Sequence, residues 1–297
     1  MLTGIKALFG GGSSTAMREA TVRCANPQGL HRMAYTEWGD PENPDVLLCV
    51  HGLTRNGRDF DALADALSAE YRVICPDVVG RGRSDWLPAN SAYGLPQYVS
   101  DMMVLLARSG AESVHWVGTS MGGLIGMAIA SLPDSPITRL VLNDVGPVIT
   151  AASLQRIGDY VGKAPVFPDF AAAEHYIRAV SAPFGPLTDA QWQHLTQTSL
   201  RACDGGYEMR YDPAIGDVFR AAPVLEDVDL WPIYDAIRCP TLVLRGARSD
   251  LLTPETHHEM GQRGPKAKLL EVSGVGHAPM LMDAAQIALV QDFLLTT

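Results

Sequence analysis

Strand-length apolar runs alternate with stretches of helical spacing through most of the chain. Residues 46–50, VLLCV, are apolar at every position, the pattern of a strand covered on both faces. Residues 31–38 alternate and predict a half-buried strand, and 72–75, 113–117 and 137–142 predict three more. Between them lie helical spacings at 58–69 (Phe60, Leu63, Leu67), 96–109 (Val99, Met102, Met103, Leu105, Leu106) and 120–130. The rhythm returns near the end with a strand at 240–244, a helix at 254–262, a strand at 268–272 and a helix at 283–295. Strands that alternate with helices predict an α/β fold, a parallel sheet with helices on both faces.

Between residues 147 and 235 this rhythm breaks. No buried strand is apparent there, and helical spacing at 151–161, 171–180 and 189–202 is separated by loops containing Pro and Gly. The insert carries eleven of the 21 aromatic residues. Its position after a strand of a parallel sheet predicts a lid over a site, with some aromatics facing the cleft. The expected plan is a flexible tail at 1–18, a core built from 19–146 and 236–297, and a helical cap at 147–235. The tail contains GGGSS and only a short apolar stretch, too short for a secretory signal.

Composition narrows the class. Hydrophobic residues are 47% and charged residues 19% of the 297, which is globular rather than disordered. With 23 Lys+Arg against 33 Asp+Glu, the formal charge of −10 argues against nucleic acid and anionic membranes as partners. No apolar run reaches the length that spans a bilayer. Five cysteines, none in a CxxC pair, suit reduced thiols and a cytoplasmic location.

The chemistry concentrates in three places. Gly118-Thr119-Ser120-Met121-Gly122 is a G-x-S-x-G between a predicted strand and a predicted helix. That context puts a serine on a tight turn, with glycines where strand and helix pass closely and the Met121 N–H at a helix N-terminus. An acid and a histidine are expected to follow in that order. LVLRGARSD places Asp250 beyond one strand, and VSGVGHAPML places His277 beyond the next. Asp250 is therefore the expected acid. Asp144, after the strand at 137–142, is the alternative, although Asp144-Val145-Gly146-Pro147 also reads as plain turn chemistry. In CVHGLTRN the Gly52 turn points to the Leu53 N–H as a second oxyanion donor, with His51 holding the loop. Arg55 is either a solvated charge or a contact for a substrate carboxylate, and Phe167 and Trp192 are candidate aromatic walls of the cleft. The glycine-rich loop DVVGRGRS at 77–84 completes no phosphate-binding motif and reads as structural. No His/Cys/Asp set has metal-ligand spacing.

These motifs resemble the α/β-hydrolase family: His51-Gly52, the loop from Asp77 to Ser84, the elbow at Ser120, Gly-x-x-Ser-Asp ending at Asp250, and Gly276-His277. The resemblance implies an eight-stranded, mostly parallel sheet, a helical cap, no cofactor and a small-molecule ester substrate. Haloalkane dehalogenases and epoxide hydrolases of this family carry Asp where Ser120 stands. Carbon–carbon bond hydrolases commonly show G-x-G-P after the first His-Gly and Trp after the histidine, where this chain has Leu53-Thr54-Arg55 and Ala278. The expected activity is a serine carboxylesterase acting on small to medium acyl groups through Ser120, Asp250 and His277. The alternatives are a hydrolase of hydroxyacid oligoesters of the 3-hydroxybutyrate type, a carbon–carbon bond hydrolase, and a non-catalytic ligand-binding member of the fold.

Overall fold

The computed structural model describes residues 17–88, 93–221 and 226–296. An antiparallel hairpin, β1 (Arg18–Asn26) and β2 (Gly29–Trp38), begins the fold. It is followed by β3 (Val46–Val50), α1 (Asp61–Leu67), β4 (Arg72–Pro76), α2 (Leu95–Ser109), β5 (Val114–Thr119), α3 (Met121–Ala130) and β6 (Ile137–Asn143). The insert then supplies β7 (Val148–Ile149), α4 (Ala151–Tyr160), β8 (Val166–Phe167), α5 (Phe170–Val180), α6 (Asp189–Ser199), β9 (Leu200–Cys203), β10 (Gly206–Met209), α7 (Asp217–Ala221), β11 (Val228–Asp229) and α8 (Trp231–Ala236). The main chain closes with β12 (Thr241–Gly246), α9 (Pro254–Met260), β13 (Lys268–Val272) and α10 (Ala284–Leu295).

The large sheet has eight strands in the order β1-β2-β4-β3-β5-β6-β12-β13. Pairings from β4 to β13 are parallel, while β1–β2 and β2–β4 are antiparallel. Alternate residues of each apolar strand feed two cores. Leu48, Val50, Ile74, Trp116, Leu140 and Leu142 pack with α2 and α3 on one face. Leu47, Cys49, Val73, Val117, Val141, Leu242 and Leu244 pack with α1 and α10 on the other. That two-sided burial is why VLLCV has no polar position.

Two expectations change. Arg18 belongs to β1 and pairs with Glu37 at 2.9 Å, so the ordered hairpin starts at the edge of the expected tail. The rest of that tail, residues 1–16, lies outside the described residues. The insert also contains strands: β8, β10 and β9 form a three-stranded sheet, and β7 pairs with β11. The helix expected to run to residue 202 stops at Ser199, because Leu200–Cys203 pairs with Gly206–Met209 around Asp204-Gly205. Asp-Gly between two extended runs is a hairpin signal, and Gly205 takes the positive φ of 92° that such a turn needs.

The turn from β5 into α3 is the tightest junction of the fold. A Cβ on Gly122 would lie 1.9 Å from the Val50 carbonyl oxygen, and one on Gly118 would lie 2.3 Å from the Gly122 carbonyl oxygen. Both contacts are with backbone, which cannot swing aside. Gly122→Ala is therefore expected to destabilise the fold by about 3 kcal/mol or more. The midpoint of urea unfolding, compared with Gly94→Ala as a control where φ is −167° and a Cβ meets only Pro96 Cδ at 3.8 Å, checks this.

Candidate active site

Ser120 sits between β5 and α3 with φ 51° and ψ −114°, a conformation that non-glycine residues rarely hold. The surroundings over-determine it. Its N–H donates to the Asn143 carbonyl at 3.0 Å, and its own carbonyl accepts from the Gly123 and Leu124 amides. Asn143 ties the neighbouring segments together, its Nδ2 donating to Thr119 Oγ1 (2.9 Å) and to the Pro279 carbonyl (2.8 Å).

His277 lies beyond β13 and contacts Ser120, its Nε2 being 3.0 Å from Ser120 Oγ. Its Nδ1 is 2.7 Å from Asp144 Oδ2. A carboxylate oxygen accepts, so Nδ1–H is the donor to it and Nε2 is left as the acceptor for the serine hydroxyl. The acid beside the histidine is therefore Asp144 and not Asp250, which corrects the sequence reading. Asp144 is fully buried, at 0% exposure. Its Oδ1 accepts the Gly246 amide (2.7 Å), and its Oδ2 accepts the Ser249 hydroxyl (2.6 Å) as well as the histidine. Asp250 has a side chain 55% exposed and pairs with Arg156 of α4 at 2.7 Å. The loop after β12 thus turns Ser249 inward and Asp250 outward. β12 still contributes to the site, but as hydrogen-bond donors to the carboxylate offered by β6.

The loop after β3 lies against the nucleophile, since a Cβ on Gly52 would be 3.7 Å from Ser120 Cβ. His51 is wholly buried and locks this loop. Nδ1–H donates to the Gly52 carbonyl at 2.7 Å, and Nε2 accepts the Val78 N–H at 2.9 Å. In a trans peptide the C=O and N–H point in opposite directions, so pinning Gly52 O turns the Leu53 N–H to the other side. Leu53 N–H and Met121 N–H, the first amide of α3, are the two expected oxyanion donors. The helix N-terminus leaves the latter without an intrahelical partner. Burial, as the largest cause, lowers the His51 pKa to about 4, with a smaller contribution from the Arg81 charge.

The three expected substrate contacts are otherwise engaged. Arg55 donates to Asp59 through Nε (2.8 Å) and Nη2 (2.6 Å), and to Ser199 Oγ at the end of α6 (2.9 Å). It is neither a solvated charge nor a free clamp for a carboxylate. Phe167 and Trp192, each 7% exposed, are buried with Ala173, Ile177, Leu195 and Leu200 of the insert and with Met280 of the segment that follows His277. A small subdomain of short helices needs its aromatics for itself. Sequence reasoning also missed Ser249 and Asn143, whose types carry no signal until the sheet brings them beside Asp144 and Ser120. Among the described residues Cys24, His31 and Asp101 bring possible metal ligands within 4.8 Å of one another. There His31 Nε2–H already donates to Asp101 Oδ2 at 2.9 Å, and burial pushes the Cys24 thiol up to about 12, away from the thiolate that a metal would need.

A profile of the α/β-hydrolase fold family matches residues 45–284. The chain belongs to the α/β-hydrolase fold family. It is 50% identical over 288 residues, 94% of this chain and 98% of the other, to a 3-hydroxybutyrate-oligomer hydrolase of Cupriavidus necator. A putative hydrolase of Rickettsia typhi superposes with a TM-score of 0.86 at 35% identity, over 94% of this chain and 98% of that one. An α/β hydrolase of Novosphingobium aromaticivorans gives 0.82 at 36%, over 96% and 99%. The family, the eight-stranded fold and the ester-hydrolase class expected from the motifs agree with these relatives. No helix among the described residues is long and apolar enough to cross a membrane.

The depressed His51 pKa makes a stability prediction. Between pH 6.5 and about 4 the unfolded chain protonates this histidine and the folded one does not, so stability falls as pH falls through that window. The expected slope from this group is about 1.4 kcal/mol per pH unit. Urea unfolding at pH 7, 6, 5 and 4.5 measures it, and His51→Asn should be less stable at pH 7 with a shallower acid slope.

Proposed function

We propose that this protein is a serine hydrolase that cleaves oligoesters of 3-hydroxybutyrate through a triad of Ser120, His277 and Asp144. The observation that carries the chemistry is the continuous relay from Ser120 Oγ through the His277 ring to a buried carboxylate. Ser120 Oγ attacks the ester carbonyl carbon while His277 Nε2 takes its proton, and the Leu53 and Met121 amides receive the oxyanion. The tetrahedral intermediate collapses, the C–O bond breaks, and His277 returns the proton to the leaving hydroxyacid's oxygen. Water, deprotonated by the same nitrogen, then attacks the acyl carbon, the bond to Ser120 Oγ breaks, and His277 returns the proton to Oγ as the acid leaves. Asp144 keeps the ring in the working tautomer and stabilises the imidazolium. No cofactor enters these steps.

Similarity to a 3-hydroxybutyrate-oligomer hydrolase along nearly the whole of both chains supports the hydroxyacid oligoester among the substrates that the motifs allow. In this reading the insert at 147–235 is the cap of the site. Its attachments support this, because they fall on loops at the same sheet edge. Asn56 Nδ2 donates to the Thr198 carbonyl (3.1 Å), Gly276 N–H to the Pro183 carbonyl (2.7 Å), and Gly82 N–H to the Arg210 carbonyl (2.9 Å). The five free cysteines, three of them buried, support a cytoplasmic location.

Ser120→Ala should abolish labelling by a fluorophosphonate and lower kcat by several orders of magnitude. Asp144→Asn should lower kcat by up to about 10⁴-fold, whereas Asp250→Asn, which loses only an exposed pair with Arg156, should change it less than about threefold. Steady-state kinetics of both variants on p-nitrophenyl butyrate decides between the two acids. For the substrate, kcat/KM on the 3-hydroxybutyrate dimer and trimer should exceed that on p-nitrophenyl palmitate. An optimum at palmitate with interfacial activation would replace this reading with a lipase.

A further inference from the structure

Arg81 stands in the glycine-rich loop at 77–84 and is fully buried, with 0% of its surface exposed. A buried cation normally has a carboxylate partner, because desolvating it alone is costly. No acidic side chain lies within ion-pair distance of Arg81 among the described residues, and residues 1–16, 89–92, 222–225 and 297 contain no Asp or Glu. Neutral groups satisfy the guanidinium instead. Nε donates to the Leu53 carbonyl (2.8 Å), Nη1 to the Val79 carbonyl (2.7 Å), and Nη2 contacts Met121 Sδ (3.5 Å). The Tyr98 and Tyr93 rings lie 4.8 and 5.7 Å from its carbon.

Leu53 and Met121 are the two residues whose amides receive the oxyanion in the function proposed above. Arg81 touches both. With His51 on the Gly52 carbonyl and Arg81 on the Leu53 carbonyl, two successive peptides of the oxyanion loop are held, and the Leu53 N–H is not free to flip. The positive charge beside this loop has no direct carboxylate partner, and Asp212 is linked to it only through the Tyr93 hydroxyl (2.6 Å), whose ring faces the guanidinium. It meets a new opposite charge when the carbonyl oxygen of the substrate becomes an oxyanion, which favours the transition state over the ground state.

We propose that Arg81 is a positioning residue of the oxyanion hole, holding Leu53 and Met121 in place and lending its unpaired charge to the tetrahedral intermediate. The inference rests on the triad reading of Ser120. It is also anchored to the insert, since Arg81 forms a β-bridge with Tyr211, and the Asp212 N–H donates to the Gly80 carbonyl at 2.8 Å.

The test uses the full chain carrying Arg81→Met, which keeps the length and removes charge and donors, and Arg81→Lys, which keeps the charge and loses the fork. Three quantities are measured: kcat and KM on p-nitrophenyl butyrate, the Ki of an alkyl trifluoromethyl ketone, which forms an oxyanion on serine, and the Ki of butyrate. Arg81→Met should lower kcat roughly 10²–10³-fold, the size of losing one oxyanion donor, with KM and the butyrate Ki within about threefold. The ketone should weaken in parallel with kcat, and Arg81→Lys should recover at least about tenfold of the loss. A folded Arg81→Met with unchanged kcat, or with kcat lowered but ketone affinity intact, overturns the proposal. Should that variant not fold, Arg81→Lys and Arg81→Gln decide it by the same comparison of ketone affinity with kcat. Fluorophosphonate labelling of wild-type Ser120 separates the two readings: no labelling sinks the triad, and labelling with an unaffected Arg81→Met sinks this inference alone.

Discussion

The site depends on the close passage of α3 over the edge of the sheet. Gly118 and Gly122 let β5, α3 and the end of β3 approach until no Cβ fits between them. That contact forces the chain at Ser120 into its rare backbone conformation, which lifts the hydroxyl off the sheet and aims the first free amide of α3 at the same space. The large cores on the two faces of the sheet supply the stability against which this strain is held.

A second constraint is the burial of Asp144. A carboxylate with no exposed surface must have its oxygens satisfied, and the chain does this with a backbone amide, a hydroxyl and an imidazole from two loops. The loops after β6, β12 and β13 are thereby tied to one group. The histidine tautomer follows, since an acceptor-only partner leaves the proton no other nitrogen. The β12 loop reads as the source of the acid in the sequence, and in the structure it is the scaffold for an acid one strand away.

The loop after β3, which lies beside Ser120, is held by buried side chains. His51 and Arg81, both fully buried, fix successive carbonyls of one loop, and Arg55 fastens that loop to α6 through Ser199. The insert is thus bonded to the loops that make the site, while its aromatics divide between the cluster around Phe167 and Trp192 and the large core, which Tyr211, Trp231 and Tyr234 join.

Much of this was legible in the chain. The continuous apolar strands, the helical spacings and the G-x-S-x-G between a strand and a helix determined an α/β-hydrolase fold with Ser120 and His277 at one edge. Those signals are local: periodicity reports burial of a face, and paired glycines report a close approach. The hairpin at Asp204-Gly205 was legible too and went unread. The acid was not legible. Asp144 and Asp250 both follow strands that end at the same edge, in the same order relative to serine and histidine. Which of them meets His277 depends on how two adjacent loops turn. Phe167, Trp192 and Arg55 likewise look alike in sequence whether they face a cleft or a core. A residue type states what chemistry a side chain can do, and only the packing of distant segments decides which neighbour receives it.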